Sequence, residues 1–143
     1  MDGIDESKSE LSKIIDRIIE ITNLDEEDSM ELNPGASSLE IERFESENSF
    51  ILPVQVKEWL LFTDGCRLFD AIIQLYGVAN KPFIDTNPKG ISGGYFKIGA
   101  FNFGDAICIK DKSPKIVQYG ETLKEYNDFG EFLEHVIEIG VED

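Results

Sequence analysis

The sequence predicts an α+β domain, and three observations carry that reading. Through much of residues 9–62 apolar residues recur at threes and fours, with acids and bases between them. From Cys66 to Gly120 the pattern changes to short runs rich in Ile, Val, Tyr and Phe, punctuated by Gly, Asn, Asp and Pro. A single helical pattern then closes the chain. Helices, sheet and helix in that order point to an α+β fold rather than to alternating βαβ units. The 143 residues suit one domain spanning 1–143, able to bury about 70% of its unfolded surface.

The first helix is SELSKIIDRIIEIT (9–22), with Leu11, Ile14, Ile15, Ile18, Ile21 and Thr22 on one side and Asp16, Arg17 and Glu20 on the other. NLDEEDSMELNPGA (23–36) breaks it as an acidic connector, expected to be mobile. Ser37 and Glu40 form a capping box for a second helix to about Glu47, with Leu39, Ile41 and Phe44 as its apolar positions. Pro53 fits the first turn of a third helix, where its missing N–H is not needed. There Val56, Trp59, Leu60 and Thr63 share a face, and Leu61 and Phe62 widen the apolar arc, which predicts packing on more than one side. Trp59, Leu60 and Phe62 are therefore expected in the core, between the amino-terminal helices and the sheet. Gly65 is placed to take the left-handed position that ends this helix.

CRLF, AIIQLYGV, YFKIGAF, DAICIK and KIVQYG predict a twisted antiparallel sheet of about five strands. Between the second and third lies a long loop, ANKPFIDTNPKGISGG (79–94). Asn127 or Asp128 caps the last helix, FGEFLEHVIEIG, which buries Phe129, Phe132, Leu133, Val136 and Ile137 and is expected to end at Gly140.

Net charge is −16, unevenly spread. Residues 1–65 carry 17 acids against 5 bases, residues 66–120 carry 4 against 7, and residues 121–143 carry 8 against 1. Such a field repels nucleic acid over most of the surface and steers a basic protein partner inward; solubility alone is the competing explanation. No basic, apolar leader opens the sequence, and its longest apolar run falls far short of the ~18 residues of a membrane span, so a cytoplasmic protein is expected.

Motifs for chemistry are scarce. Cys66 and Cys108 lie far apart in strand-like segments, which favours buried, reduced thiols, and with one histidine they make no zinc site. His135 sits in the last helix beside Glu131 and Glu138, and reads as a surface residue rather than a general base. DEEDSME (25–31) lacks the glycine of a calcium loop, and GISGG (90–94) is no phosphate loop. Neither a cofactor nor a metal is expected, and no catalytic residue is assigned.

The elements together carry more than any one of them. SSLEIERFESENSFILP leads into LPVQVKEWLLFTDG with its Trp59 and Asp64-Gly65; YFKIGAFNFGDAICIKD and NDFGEFLEHVI follow. In this order and spacing residues 37–139 resemble the SUKH superfamily, which joins yeast cell-wall-synthesis regulators to many bacterial toxin-immunity proteins. Two departures stand out. Phe101 and Phe103 make the turn before Gly104-Asp105 bulkier than the glycine run of many relatives, and the helix and connector of 1–36 lie outside the resemblance.

The resemblance implies a non-enzymatic immunity protein that binds and neutralises a cognate polymorphic toxin, often a nuclease. The alternative is a general interaction or regulatory module unlinked to a toxin; an enzyme using Cys66, Cys108 or His135 is a third reading. Acids near loops are the candidate contacts: Asp64, Asp70, Asp85, Asp105 and Asp111. Tyr76, Tyr95 and Tyr119 are the candidate aromatic anchors. Each also has a structural reading, in which Asp64 caps the turn before Gly65, Asp105 shapes a hairpin and the tyrosines pack on the sheet.

Overall fold

The computed structural model describes residues 9–25, 29–121 and 123–142. Its helices are α1 (Glu10–Leu24), α2 (Ser38–Asn48), α3 (Val54–Phe62) and α4 (Phe129–Glu142). Its strands are β1 (Glu31–Leu32), β2 (Cys66–Leu68), β3 (Ile73–Leu75), β4 (Phe96–Phe101), β5 (Ala106–Ile109), β6 (Ile116–Tyr119) and β7 (Lys124–Tyr126). The strands lie in sequence order in one sheet, every neighbour antiparallel. The fold is α+β, as expected, with seven strands instead of five. The additions are β1 and β7, whose two and three residues are too few and too polar to show a strand period. Pairing with β2 and β6 alone makes them strands.

Local chemistry starts each helix. The Ser9 hydroxyl oxygen accepts from the Ser12 N–H at 3.0 Å at the head of α1 and donates to Glu58 Oε2 of α3 at 2.7 Å. The capping box of α2 is complete: Ser37 Oγ accepts from the Glu40 N–H, and Glu40 Oε1 from the Ser37 N–H. Pro53 stands one residue before α3, as its N-cap, and not within its first turn. At the head of α4 the choice between Asn127 and Asp128 falls to Asp128, whose carboxylate accepts from the Glu131 N–H at 2.8 Å.

Helix ends depart from expectation in two places. Gly65 has the left-handed φ of +101° but is not the stop of α3, because Thr63 closes that helix in extended conformation with its N–H on Trp59 O. Gly140 does not end α4 either; the helix runs through it to Glu142. Its missing side chain serves packing instead, since a Cβ there would overlap the Phe69 ring.

Phe69, Asp70 and Ala71 are three consecutive non-glycine residues with positive φ, a left-handed turn between β2 and β3. Ser29 O accepts the Asp70 N–H at 2.9 Å and ties the turn to the connector. That connector, expected to be mobile, is held on both sides of residues 26–28. Asp25 Oδ2 accepts from the Ser29 N–H and hydroxyl, β1 pairs with β2, and Ala36 N–H reaches Leu60 O. Residues 26–28, within the acidic DEEDSME stretch, lie outside the described residues.

The helices α1, α3 and α4 pack on one another and on the sheet. Trp59, Leu60, Phe132 and Leu133 are buried in one core with Leu11, Ile18, Leu68, Ile73, Ile107 and Ile116. Trp59 meets Phe62 and Phe129 edge-on, at ring separations of 5.3 and 5.7 Å. Phe62 is only partly buried against this core. The apolar arc of α3 also does not translate into packing all round: Leu61 is 47% and Val54 72% exposed. On α2, Leu39 likewise faces solvent, while Ile41 is buried. Ala106, Cys108 and Val117 are buried but stand outside this core, on the alternate strand positions of the sheet's other face.

Candidate interaction surface

The eight candidate contact residues do not form one patch. Asp64, expected among exposed acids, is fully buried. Its Oδ1 accepts from the Val78 N–H at 2.7 Å; its Oδ2 accepts from the N–H groups of Ala79 and Asn80 at 2.9 and 2.8 Å and from Asn80 Nδ2 at 3.1 Å. The backbone at 78–80 is thus a nest of N–H groups filled by a carboxylate from the end of α3. Asp64 does not cap its own turn before Gly65; it fastens the start of the long loop.

Asp70, Asp85 and Asp111 are exposed and lie in three different loops, after β2, β3 and β5. Asp70 lies in the left-handed turn. Asp85 pairs through its backbone with Lys97, and its carboxylate accepts the Asn87 N–H at 2.9 Å. Asp111 accepts the N–H of Ile51, joining the turn after β5 to the approach to α3. Tyr76 is half-buried against the core.

Tyr95 and Tyr119 do meet. Their rings stand nearly perpendicular, 5.6 Å apart, and Lys110 Nζ lies 5.3 Å from the centre of the Tyr95 ring. Burial, with the hydrogen bond to Tyr95, raises the Tyr119 phenol above its ordinary value.

Asp105 belongs to a second group on the helix side of the sheet. Its Oδ2 accepts from Gln118 Nε2 at 2.8 Å, and Gln118 Oε1 accepts from the Tyr126 hydroxyl at 2.8 Å. Gln118 and Tyr126 are buried. Burial first, then the Glu131 and Asp105 carboxylates, pushes the Tyr126 phenol up, which keeps it a donor. Gly120 leaves room for the carboxylate, because a Cβ there would overlap Asp105. Asp105 and Gln118 open on a cavity of about 560 Å³ whose wall also holds Phe103, Glu121, Lys124, His135 and Ile139. Gln118 and Tyr126 escaped the sequence reading, although a glutamine within the apolar run IVQY was a visible anomaly.

Of the groups weighed for catalysis the two cysteines are buried, whereas His135 lines the cavity beside Asp105. Cys66 packs in the helix-side core while Cys108 lies on the sheet's other face, and both are free thiols. Burial pushes Cys66 up to about 12 and Cys108 up to about 11, the latter despite the nearby Lys97 cation, so neither supplies a thiolate near neutrality. His135 lies against the Tyr126 ring at 5.7 Å. Among the described residues no group of three His, Cys, Asp or Glu side chains could hold a metal ion, and no helix is long and apolar enough to cross a membrane.

The sequence model of the SMI1 / KNR4 family (SUKH-1) matches residues 35–135, which covers most of the stretch that carried the resemblance. No curated protein sequence matches the chain significantly.

Proposed function

Because the chain belongs to the SMI1 / KNR4 family (SUKH-1), we propose that it is an immunity protein, a non-enzymatic cytoplasmic inhibitor that neutralises a cognate toxin by binding it. The family match across residues 35–135 carries this reading. The charge distribution supports it: the net of −16 is concentrated in the first 65 and last 23 residues, suited to a toxin with a basic cleft. The buried, protonated thiols favour a binding role over a nucleophilic one. Asp70, Asp85, Asp105 and Asp111 are the acids that remain available to a partner at least in part, and Tyr95 with Tyr119 forms the aromatic anchor. Asp64 leaves the set of contacts because its carboxylate is consumed inside the fold.

The test is co-expression and kinetic binding with the toxin encoded beside this gene. The expected outcome is rescue of growth and a complex whose association rate falls steeply between low and high salt. Absence of binding at low salt overturns the proposal.

A further inference from the structure

We infer that the cavity beside Asp105 is a preformed socket for a guanidinium, filled by an arginine side chain of the partner protein. Three features of the cavity point there. Its carboxylate is fixed in advance: Tyr126 orients Gln118, Gln118 orients Asp105, and both supporting side chains are buried, so their geometry does not depend on a ligand. Among the described residues Asp105 has no ion-pair partner, although Lys124 and His135 share the cavity wall. A carboxylate held by one neutral amide donor keeps acceptor capacity for a charged fork of N–H groups.

The second feature is Phe103. Its ring stacks on the buried Phe101 ring at 4.8 Å with 12° between planes, yet Phe103 stays 60% exposed on the cavity wall. A flat aromatic face backed by a second ring is a platform on which a guanidinium can lie while its edge reaches a carboxylate. The third feature is charge. Asp105 and Glu121 outweigh Lys124 in the cavity wall when His135 is neutral, within a chain of net −16. A planar, weakly hydrated cation that bonds through its edge and stacks through its face fits this lining better than a compact ammonium.

The inference rests on the reading of the chain as a protein-binding module only in assigning the arginine to a partner. The socket itself can be probed with N-acetyl-arginine-methylamide, titrated into the isotope-labelled full chain and followed by NMR. The expected result is saturable, millimolar-range shifts confined to Phe103, Asp105, Gln118, Gly120 and His135. The citrulline analogue, isosteric but uncharged, should give none, and the lysine analogue should bind more weakly. Asp105→Asn should weaken the arginine response about tenfold, the worth of one charge-assisted bond.

Phe103→Ser removes a mostly exposed ring whose one ring contact among the described residues is with Phe101, and should also weaken it, which keeps the test intact if Asp105→Asn fails to fold. Equal response to citrulline, shifts scattered over the acidic surface, or an arginine response unchanged in both variants overturns the socket. Equal response to lysine overturns the guanidinium assignment. A toxin complex that forms without any arginine response sinks the socket and leaves the immunity reading standing. An arginine response without toxin binding does the reverse.

Discussion

The carboxylate of Asp64 holds Asn80 twice, accepting its backbone N–H at 2.8 Å and its side-chain amide at 3.1 Å, while also accepting from Val78 and Ala79. One side chain at the end of α3 therefore fastens the start of the loop that leads from β3 to β4. The fit is tight, because a Cβ on Gly77 would lie 2.7 Å from Asp64 Oδ1. Removing the carboxylate leaves several N–H groups short of an acceptor. Asp64→Ala should cost about 3 kcal/mol, read as a lower urea midpoint with unchanged slope. A loss below about 1 kcal/mol would show that the turn at 77–80 stands without it.

Trp59 is the largest side chain of the core, and among the described residues its buried indole Nε1–H has no hydrogen-bond partner. Its contribution is therefore packing. Truncation to alanine should cost roughly 3–5 kcal/mol, whereas Trp59→Phe should cost less than half as much, since it removes volume but no bond. Equal losses for the two variants in chemical denaturation would contradict that division.

Phe69 sits in the left-handed turn and covers Gly140 of α4. On helix propensity alone Gly140→Ala would gain about 1 kcal/mol. The new methyl meets the Phe69 ring, and overpacking of this kind costs about 1–3 kcal/mol, so the net sign should be destabilising. By contrast Ala71→Gly relieves a positive φ of 62° and should be neutral or stabilising by up to about 1 kcal/mol. Thermal melts of both variants check the pair of signs, and a stabilised Gly140→Ala would show that the ring can move aside.

The two thiols set an alkaline limit. Burial raises both in the folded chain, to about 12 for Cys66 and about 11 for Cys108, so the folded state retains protons that the unfolded state loses first. Their contribution is full below the ordinary thiol range. It is lost as pH rises through that range towards 11–12. Stability should fall over this window, and Cys66→Ala/Cys108→Ala should flatten the fall. At pH 8 a thiol reagent should label the native chain far more slowly than the unfolded one; comparable rates would place at least one thiol at the surface.

Much of the fold was legible because it is written locally. The 3.6-residue period marked α1 and α4, the Ser37–Glu40 spacing marked the start of α2, and short runs rich in aliphatic and aromatic residues marked β2 to β6. The short strands β1 and β7 were not legible, since two or three polar residues have no period and become strands only by pairing. Apolar type also misled at Leu39 and Leu61, which stay exposed: periodicity gives a helix a face but not the width of what covers it.

The amino-acid sequence by itself determined the α+β class, the family, the acidic ends and the burial of both thiols. It could not decide the use of its acids. Asp64 and Asp105 both stand beside a glycine at a turn, yet Asp64 points inward to amides 14 to 16 residues away and Asp105 lines an open cavity. That difference arises from which backbone or side chain the sheet carries up to each carboxylate. Gln118 reaches Asp105 across 13 residues, and Gln55 Oε1 receives the Gly130 N–H across 75. Such pairings follow from strand register and helix docking, and a local pattern carries no information about either.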